Sequence, residues 1–334
     1  MIRPCARSAT SRFFSVALVV CFSLSALAAA AQQEVPAAPA QPPAAPAPSG
    51  PPTFPKPDPA NFTASAPSKD LVAAFLQTSW GYDETRMWQI QGILKTPVEG
   101  VAKVIIFVGD KTGKQKPAAL QFFTLQDGKH AIAGDEIVPF GEHPFADNRA
   151  MLAKLADGPY RGSAAKDLEL VEFADFQCPH CKDAQANMEK LAVDFPKARI
   201  VFQTYPLEKI HPSAKRAAAY GYCVSKQGGS DAFFTFAGAV FDGQEGLATA
   251  DGTTLTLNSA VTKAGLDPVK IGACADTPAT SDAVEASVKL AQDLSINSTP
   301  TLMVNGRQVP IAGVPYETLK QVVAYQAKLD GVNQ

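Results

Sequence analysis

The stretch that decides the fold is Val171-Glu172-Phe173-Ala174-Asp175-Phe176-Gln177-Cys178-Pro179-His180-Cys181. Together with Leu168 and Leu170, its first half is almost continuously apolar, as a strand buried on both faces would be. Its second half is a Cys-x-x-Cys pair opening a helix that the pattern carries to about Phe195. That spacing brings two sulfurs within bonding reach across one helical turn. Cys178 stands at the helix start, where unpaired N–H groups and the helix dipole stabilise a thiolate. Pro179 suits the first helical turn, because its missing N–H loses nothing there. His180 adds a donor or a positive charge beside the sulfur. These features predict a Cys178 pKa brought down from about 8.5 into the range of roughly 3.5–7.5. A stabilised thiolate favours the reduced pair, so the disulfide becomes a stronger oxidant. Cys178 is expected to be the exposed reacting sulfur, and Cys181, deeper in the helix, the buried resolving thiol. Glu172, on the strand before them, is expected to be a buried carboxylate that exchanges a proton with Cys181. A solvated strand residue is the alternative.

Outward from this centre, Ile200 to Tyr205 reads as a strand, and about 211–294 as an Ala-rich helical block. Thr301 to Asn305 and Gln308 to Ile311 form a hairpin turning at Asn305-Gly306, and Tyr316 to Leu329 a closing helix. A bare Cys-x-x-Cys is also half of a zinc site. The remaining Cys and His are scattered, so no metal and no cofactor are expected. The strand–CPHC–helix unit, with Ser298-Thr299-Pro300-Thr301 before the last hairpin, is far more specific.

That unit resembles the active-site strand and helix of DsbA-family disulfide oxidoreductases. Thr299-Pro300, followed by Thr301-Leu302-Met303-Val304-Asn305-Gly306, resembles the family's cis-proline loop. The resemblance implies an α/β thioredoxin fold with a helical insertion, a redox-active Cys178/Cys181 pair, and an acid buried at Glu172. It also implies substrate backbone binding at Thr299 and Pro300. The implied partners are reduced or unfolded exported proteins and a membrane redox protein. That membrane protein would be a quinone-linked oxidant for an oxidase, or a reductant for an isomerase. CPHC favours the oxidase, whereas Thr299 before the proline leans toward an isomerase. A non-redox chaperone is the third alternative.

The N-terminus supplies the compartment. Arg3, Arg7 and Arg12 precede an apolar run from Phe13 to Leu27 and an A-x-A site at Ala28–Ala31. This predicts a signal peptide over 1–31, cleaved near Ala30-Ala31, and a periplasmic or otherwise extracytoplasmic protein. Of six cysteines, Cys5 and Cys21 leave with that segment. Cys223 and Cys274 then remain beside the active pair, and an oxidising compartment predicts a structural disulfide between them. Two buried free thiols are the alternative.

Residues 32–67, rich in Pro and Ala, are expected to be a disordered linker. Residues 68–144 read as a small α+β domain. Ser68 caps its helix, Trp88, Ile90 and Leu94 share one strand face, and Asp127-Gly128 makes a type I′ hairpin. Phe122-Phe123-Thr124, Asp127-Gly128-Lys129-His130 and Ala133-Gly134-Asp135-Glu136 are similar to the dimerisation domains of DsbC- and DsbG-type isomerases, which implies a homodimer. A monomeric appendage is the other reading. A helical connector over 145–160 leads to the thioredoxin-like domain, 161–334. The net charge of −2 gives no electrostatic reason to expect nucleic acid as a partner.

Overall fold

The computed structural model describes residues 53–113 and 116–332. The expected signal peptide and residues 32–52 of the expected linker lie outside them.

The N-terminal unit begins with helix α1 (Lys69–Trp80), whose first turn is closed by Ser68 Oγ accepting from Leu71 N at 3.1 Å. Five strands follow: β1 (Arg86–Lys95), β2 (Ala102–Asp110), β3 (Ala118–Thr124), β4 (His130–Ala133) and β5 (Glu136–Pro139). They pair antiparallel in sequence order. Val72 and Leu76 of α1 pack onto Ile90, Ile93, Val104, Ile106 and Phe122.

Three local expectations are corrected here. First, Leu94 does not share the face of Ile90. The β1–β2 register shifts between Ile90 and Gly92, so the extra residue at Gln91 reverses the alternation and buries Ile93 instead. Second, the Asp127-Gly128 turn is not type I′, because only Gly128 has positive φ (67°). Asp127 Oδ1 accepts from Lys129 N and His130 N, and these bonds hold a longer loop. Third, the linker does not extend to Pro67. Phe62 bridges to Ile93, and Thr63 N and Ala64 N both donate to Ile93 O at 3.0 Å. Gln91 Nε2 donates to Pro55 O at 3.0 Å, and Phe54 meets Phe107 with ring centroids 6.2 Å apart. Composition pointed to a tether, but Phe54 and Phe62 give this segment rings to bury against the first strands.

Helix α2 (Ala146–Leu155) leads into the second sheet, made of β6 (Tyr160–Gly162), β7 (Glu169–Ala174), β8 (Arg199–Thr204), β9 (Thr301–Val304) and β10 (Arg307–Pro310). Its order is β10-β9-β7-β8-β6, with β7 and β8 parallel and the other pairs antiparallel. Central β7 is buried along its whole length. Leu170, with Ile200 and Leu302, faces α3 (Pro179–Asp194) and α8 (Tyr316–Leu329). Val171 and Phe173 face α2 and α7 (Pro278–Asp293). This is the thioredoxin fold, and α4 (Ala214–Asp242), α5 (Ala250–Lys263), α6 (Pro268–Ala275) and α7 are its helical insertion. Cys223 and Cys274 within that insertion are disulfide-bonded, with Cα atoms 6.0 Å apart.

Arg307 ties the N-terminal unit to this sheet. Its Nη1 donates to Ser79 O at 2.9 Å and its Nη2 to Thr78 O, both carbonyls of the last turn of α1. A cation at a helix C-terminus is favoured by the dipole. Nε donates to Gln326 Oε1 at 3.0 Å, and the guanidinium lies 4.4 Å from the centroid of Phe145. Replacing Arg307 by Ala strands those carbonyls, at about 1–3 kcal/mol for a buried unpaired group. We expect Arg307→Ala to separate the thermal unfolding of the two units and to open the segment between them to protease. A single transition at the wild-type temperature would show that the guanidinium does not couple them.

Candidate active site

Cys178 is the N-cap of α3, with φ −75° and ψ 121°, and Pro179 is the first helical residue. The chain reaches this point from β7 through Asp175, whose carbonyl accepts from Cys178 N at 3.1 Å. Helix starts leave donors unsatisfied, and Cys178 stands at such a start. The Cys178 thiol is brought down to about 5, chiefly by its hydrogen bond with the Cys181 side chain. Burial opposes that shift, while Thr299 and the backbone N–H groups of Cys181 and His180 reinforce it.

Cys178 is not an exposed sulfur. The residue is 5% exposed, because it turns inward between Cys181 and Thr299, whose carbonyl lies 3.6 Å from Sγ. Pro179 and His180 are the exposed residues of the tetrapeptide, and His180 acts on the sulfur through its backbone N–H. Cys181 is fully buried and its thiol is pushed strongly upward, first by burial and then by the hydrogen bond with Cys178. Asp175 N donates to Cys181 Sγ at 3.4 Å. Both cysteines are free thiols in this structure.

Glu172 sits on the α3 side of β7, 2% exposed. Burial raises its carboxyl to about 7, against the lowering effects of Arg161 on β6 and of Gln185 on α3. Gln185 Nε2 donates to Glu172 Oε1 at 2.9 Å and to Cys181 O at 3.0 Å, bridging the acid and the inner cysteine. Thr299-Pro300 is a cis peptide, and both residues are buried against the cysteine pair's end of the sheet.

The helical insertion grips the same loop. Gln244 Nε2 donates to Phe176 O at 2.8 Å and to Cys178 O at 2.9 Å. Gln177 accepts from Ser213 N at 2.8 Å and donates to Leu247 O at 3.1 Å. Phe176 stacks on Phe202 and meets Phe233, Phe236 and Phe241. The sequence gives no local sign of the roles of Asp175, Gln177, Gln244 and His211. His211 Nδ1 lies 2.8 Å from Asp175 Oδ2. Its partner is 36 positions away, and no local pattern marks such a contact.

A chain with a thioredoxin fold and a Cys-x-x-Cys at the first helix of that fold is defined as a class by these features. The chain belongs to the thioredoxin family, whose model, described as Thioredoxin, matches residues 154–324. Among curated proteins, it is similar to the Na(+)/H(+) antiporter NhaA 3 of Salinispora tropica, at 30% identity over 148 residues. That match covers 44% of this chain and 22% of the antiporter, so the chain spans about a fifth of the length of the curated relatives it matches. Among the described residues, no helix is long and apolar enough to cross a membrane.

Among solved structures, it is similar to a periplasmic thioredoxin-like protein from Salmonella enterica serovar Typhimurium, at 22% identity and a TM-score of 0.45, covering 54% of this chain and 96% of that one. It is also similar to BdbD from Bacillus subtilis, at 22% identity and a TM-score of 0.46, covering 51% and 93%.

The lowered Cys178 thiol is directly measurable. In the reduced protein we expect one thiolate transition near pH 5 by ultraviolet absorbance, absent in Cys178→Ser. Cys181→Ala removes the largest lowering contribution, so the midpoint should rise, slowing alkylation on the acid side by roughly tenfold per unit. A midpoint that stays put would assign the lowering to the helix start alone.

Proposed function

We propose that this chain is an exported, DsbA-like protein thiol–disulfide oxidoreductase that introduces disulfides into secreted or periplasmic proteins. The observation that carries this reading is the asymmetry of the pair: Cys178 held down to about 5, Cys181 pushed up. Stabilising one thiolate stabilises the dithiol, which makes the disulfide a ready donor.

In this reading a substrate thiolate attacks Cys178 Sγ of the disulfide, and Cys181 leaves with the electron pair. A second substrate thiolate then displaces Cys178, which leaves easily as an anion. Glu172 supplies the proton that Cys181 takes up, and Gln185 holds the carboxyl beside it. Thr299 and Pro300 receive the substrate backbone next to the sulfur. His180, exposed at the rim, adds its polarity to that of its N–H. The dithiol is returned to the disulfide by a quinone-linked membrane oxidant, with no bound cofactor in the chain itself.

The second reading is a disulfide isomerase or reductase, active as a homodimer through the N-terminal unit and kept reduced by a membrane reductant. It is favoured by the position of β5 at the end of the first sheet among the described residues, where Ile137 is 63% exposed. Thiol trapping in cells separates the two readings. Cys178 and Cys181 recovered oxidised support the oxidase; recovered reduced, they support the isomerase. No catalysis of disulfide exchange in a reduced, unfolded substrate would refute both.

The role of Glu172 has its own signature. A carboxyl with its pKa raised to about 7 is protonated below that pH and loses its proton above it. The rate at which a thiol opens the active-site disulfide, corrected for the attacking thiolate, should therefore fall as pH rises through about 7. Glu172→Gln should flatten that dependence and slow the step by about 10²-fold or more, the usual worth of positioned proton transfer. A retained inflection in the variant would assign it to another group.

A further inference from the structure

The loop joining β7 to α3 hangs on one carboxylate. Asp175 is fully buried, and its oxygens are supplied with donors. Oδ1 accepts from Gln177 N at 2.7 Å, and Oδ2 accepts from Leu207 N at 2.8 Å. His211 Nδ1 approaches Oδ2 to 2.8 Å and carries the proton of that bond, since a carboxylate only accepts. The main chain of the same residue turns the other way and places its N–H 3.4 Å from Cys181 Sγ. One residue is thus anchored by its side chain to the segment entering the helical insertion and presents its backbone to the inner thiol.

His211 is set firmly enough to act as an anchor. Its backbone N donates to Leu207 O at 2.9 Å, its carbonyl accepts from Ala214 N at 3.0 Å, and its side chain is 17% exposed. The other tethers of the loop hold different atoms. Gln244 binds the carbonyls of Phe176 and Cys178, and Gln177 binds Ser213 N and Leu247 O. Those contacts fix the helix start under Cys178. The contact from His211 bears instead on the peptide unit that faces Cys181.

We propose that His211, acting through Asp175, is a positioning residue for Cys181, holding the Asp175 N–H on the inner sulfur where it stabilises the thiolate released when the Cys178–Cys181 disulfide opens. The inference rests on the thiol–disulfide exchange reading. In the opening step the attacking thiolate forms a bond to Cys178 Sγ, the Cys178–Cys181 bond breaks, and the electron pair goes to Cys181. Its proton comes from Glu172. In the second step the substrate's other thiolate attacks the substrate sulfur and Cys178 departs, leaving the substrate oxidised by two electrons and the cysteine pair reduced. A donor aimed at Cys181 eases the first departure and does not touch the second.

The test uses the full chain with His211→Ala and His211→Asn, the second retaining an N–H donor near the place of Nδ1. Oxidised protein is opened with a single-thiol peptide, and the release of Cys178 from a peptide mixed disulfide is followed separately in a Cys181→Ala background. The thiolate titration of Cys178 is recorded for each variant with Cys181 intact. Losing a hydrogen bond to a charged group is worth about one factor of ten in rate. His211→Ala should therefore open about tenfold more slowly, with the release of Cys178 and its titration unchanged. His211→Asn should recover most of the opening rate, and because it keeps the donor it also serves if the alanine variant folds poorly. Equal slowing of both steps, a wild-type opening rate in His211→Ala, or an asparagine variant no better than alanine would overturn the positioning role. A wild-type disulfide that the peptide cannot open would overturn the exchange reading, and this role with it.

Discussion

Everything in this molecule depends on a negative charge that the chain can hold on one sulfur and not on its neighbour. A thiolate at Cys178 is stabilised chiefly by the hydrogen bond with the Cys181 side chain, with the N–H groups of Cys181 and His180 at the helix start adding to it. Cys181 is within reach of the same helix but lies deeper, where desolvation outweighs the one donor it receives. Two identical side chains three positions apart therefore become chemically unequal through burial and hydrogen bonding alone. Burial acts on both, but at Cys181 it outweighs every other effect, whereas at Cys178 hydrogen bonding outweighs burial.

Holding that inequality requires a loop that cannot relax. The β7–α3 connection passes four consecutive residues, Asp175 to Cys178, each tied to something distant. Asp175 is tied to Leu207 and His211, Phe176 to an aromatic cluster, Gln177 to Ser213 and Leu247, and Cys178 to Gln244 through its carbonyl. Most of these partners belong to the helical insertion or to the segment entering it. The insertion is thus the wall against which the active-site loop is set, and its own core is joined by the Cys223–Cys274 bond. A disulfide closing a loop of this length typically contributes about 2–4 kcal/mol.

The sequence was most readable where one local rule governed the outcome. Asn305-Gly306 takes two positive φ angles, 45° and 88°, and turns the final hairpin as a two-residue loop should. Ser68 caps α1, and Tyr316–Leu329 is the closing helix. At Asp127-Gly128 the same dipeptide logic failed, because the aspartate side chain found two amides of its own and did not need the left-handed region. The bulge at Gln91 was hidden for a similar reason: alternation can be read along a strand, but an inserted residue shows only against its partner strand. Within the site, Cys178, Cys181, Glu172, Thr299 and Pro300 were visible as motif residues. The contact between Asp175 and His211 was not, since it forms only when the insertion packs against the β7–α3 loop.

Two carboxylates lie beneath the cysteine pair, and their surroundings divide the work between them. Glu172 projects from β7 into the apolar space under α3, where Gln185 donates a hydrogen bond to it and Arg161 lends a partial counter-field. Desolvation dominates, and the group sits near the pH at which a proton can be either given or taken. Asp175, three residues on, has left the strand and meets two backbone amides and an imidazole. A carboxylate so supplied is a fixed acceptor, suited to holding the chain in place. Exchanging the two environments would undo both functions: an acid with three donors would be held as an anchor, and an aspartate with one would let the loop drift from the inner sulfur. The spacing of three residues between them is what allows one to sit on the strand as proton carrier and the other at its end as anchor.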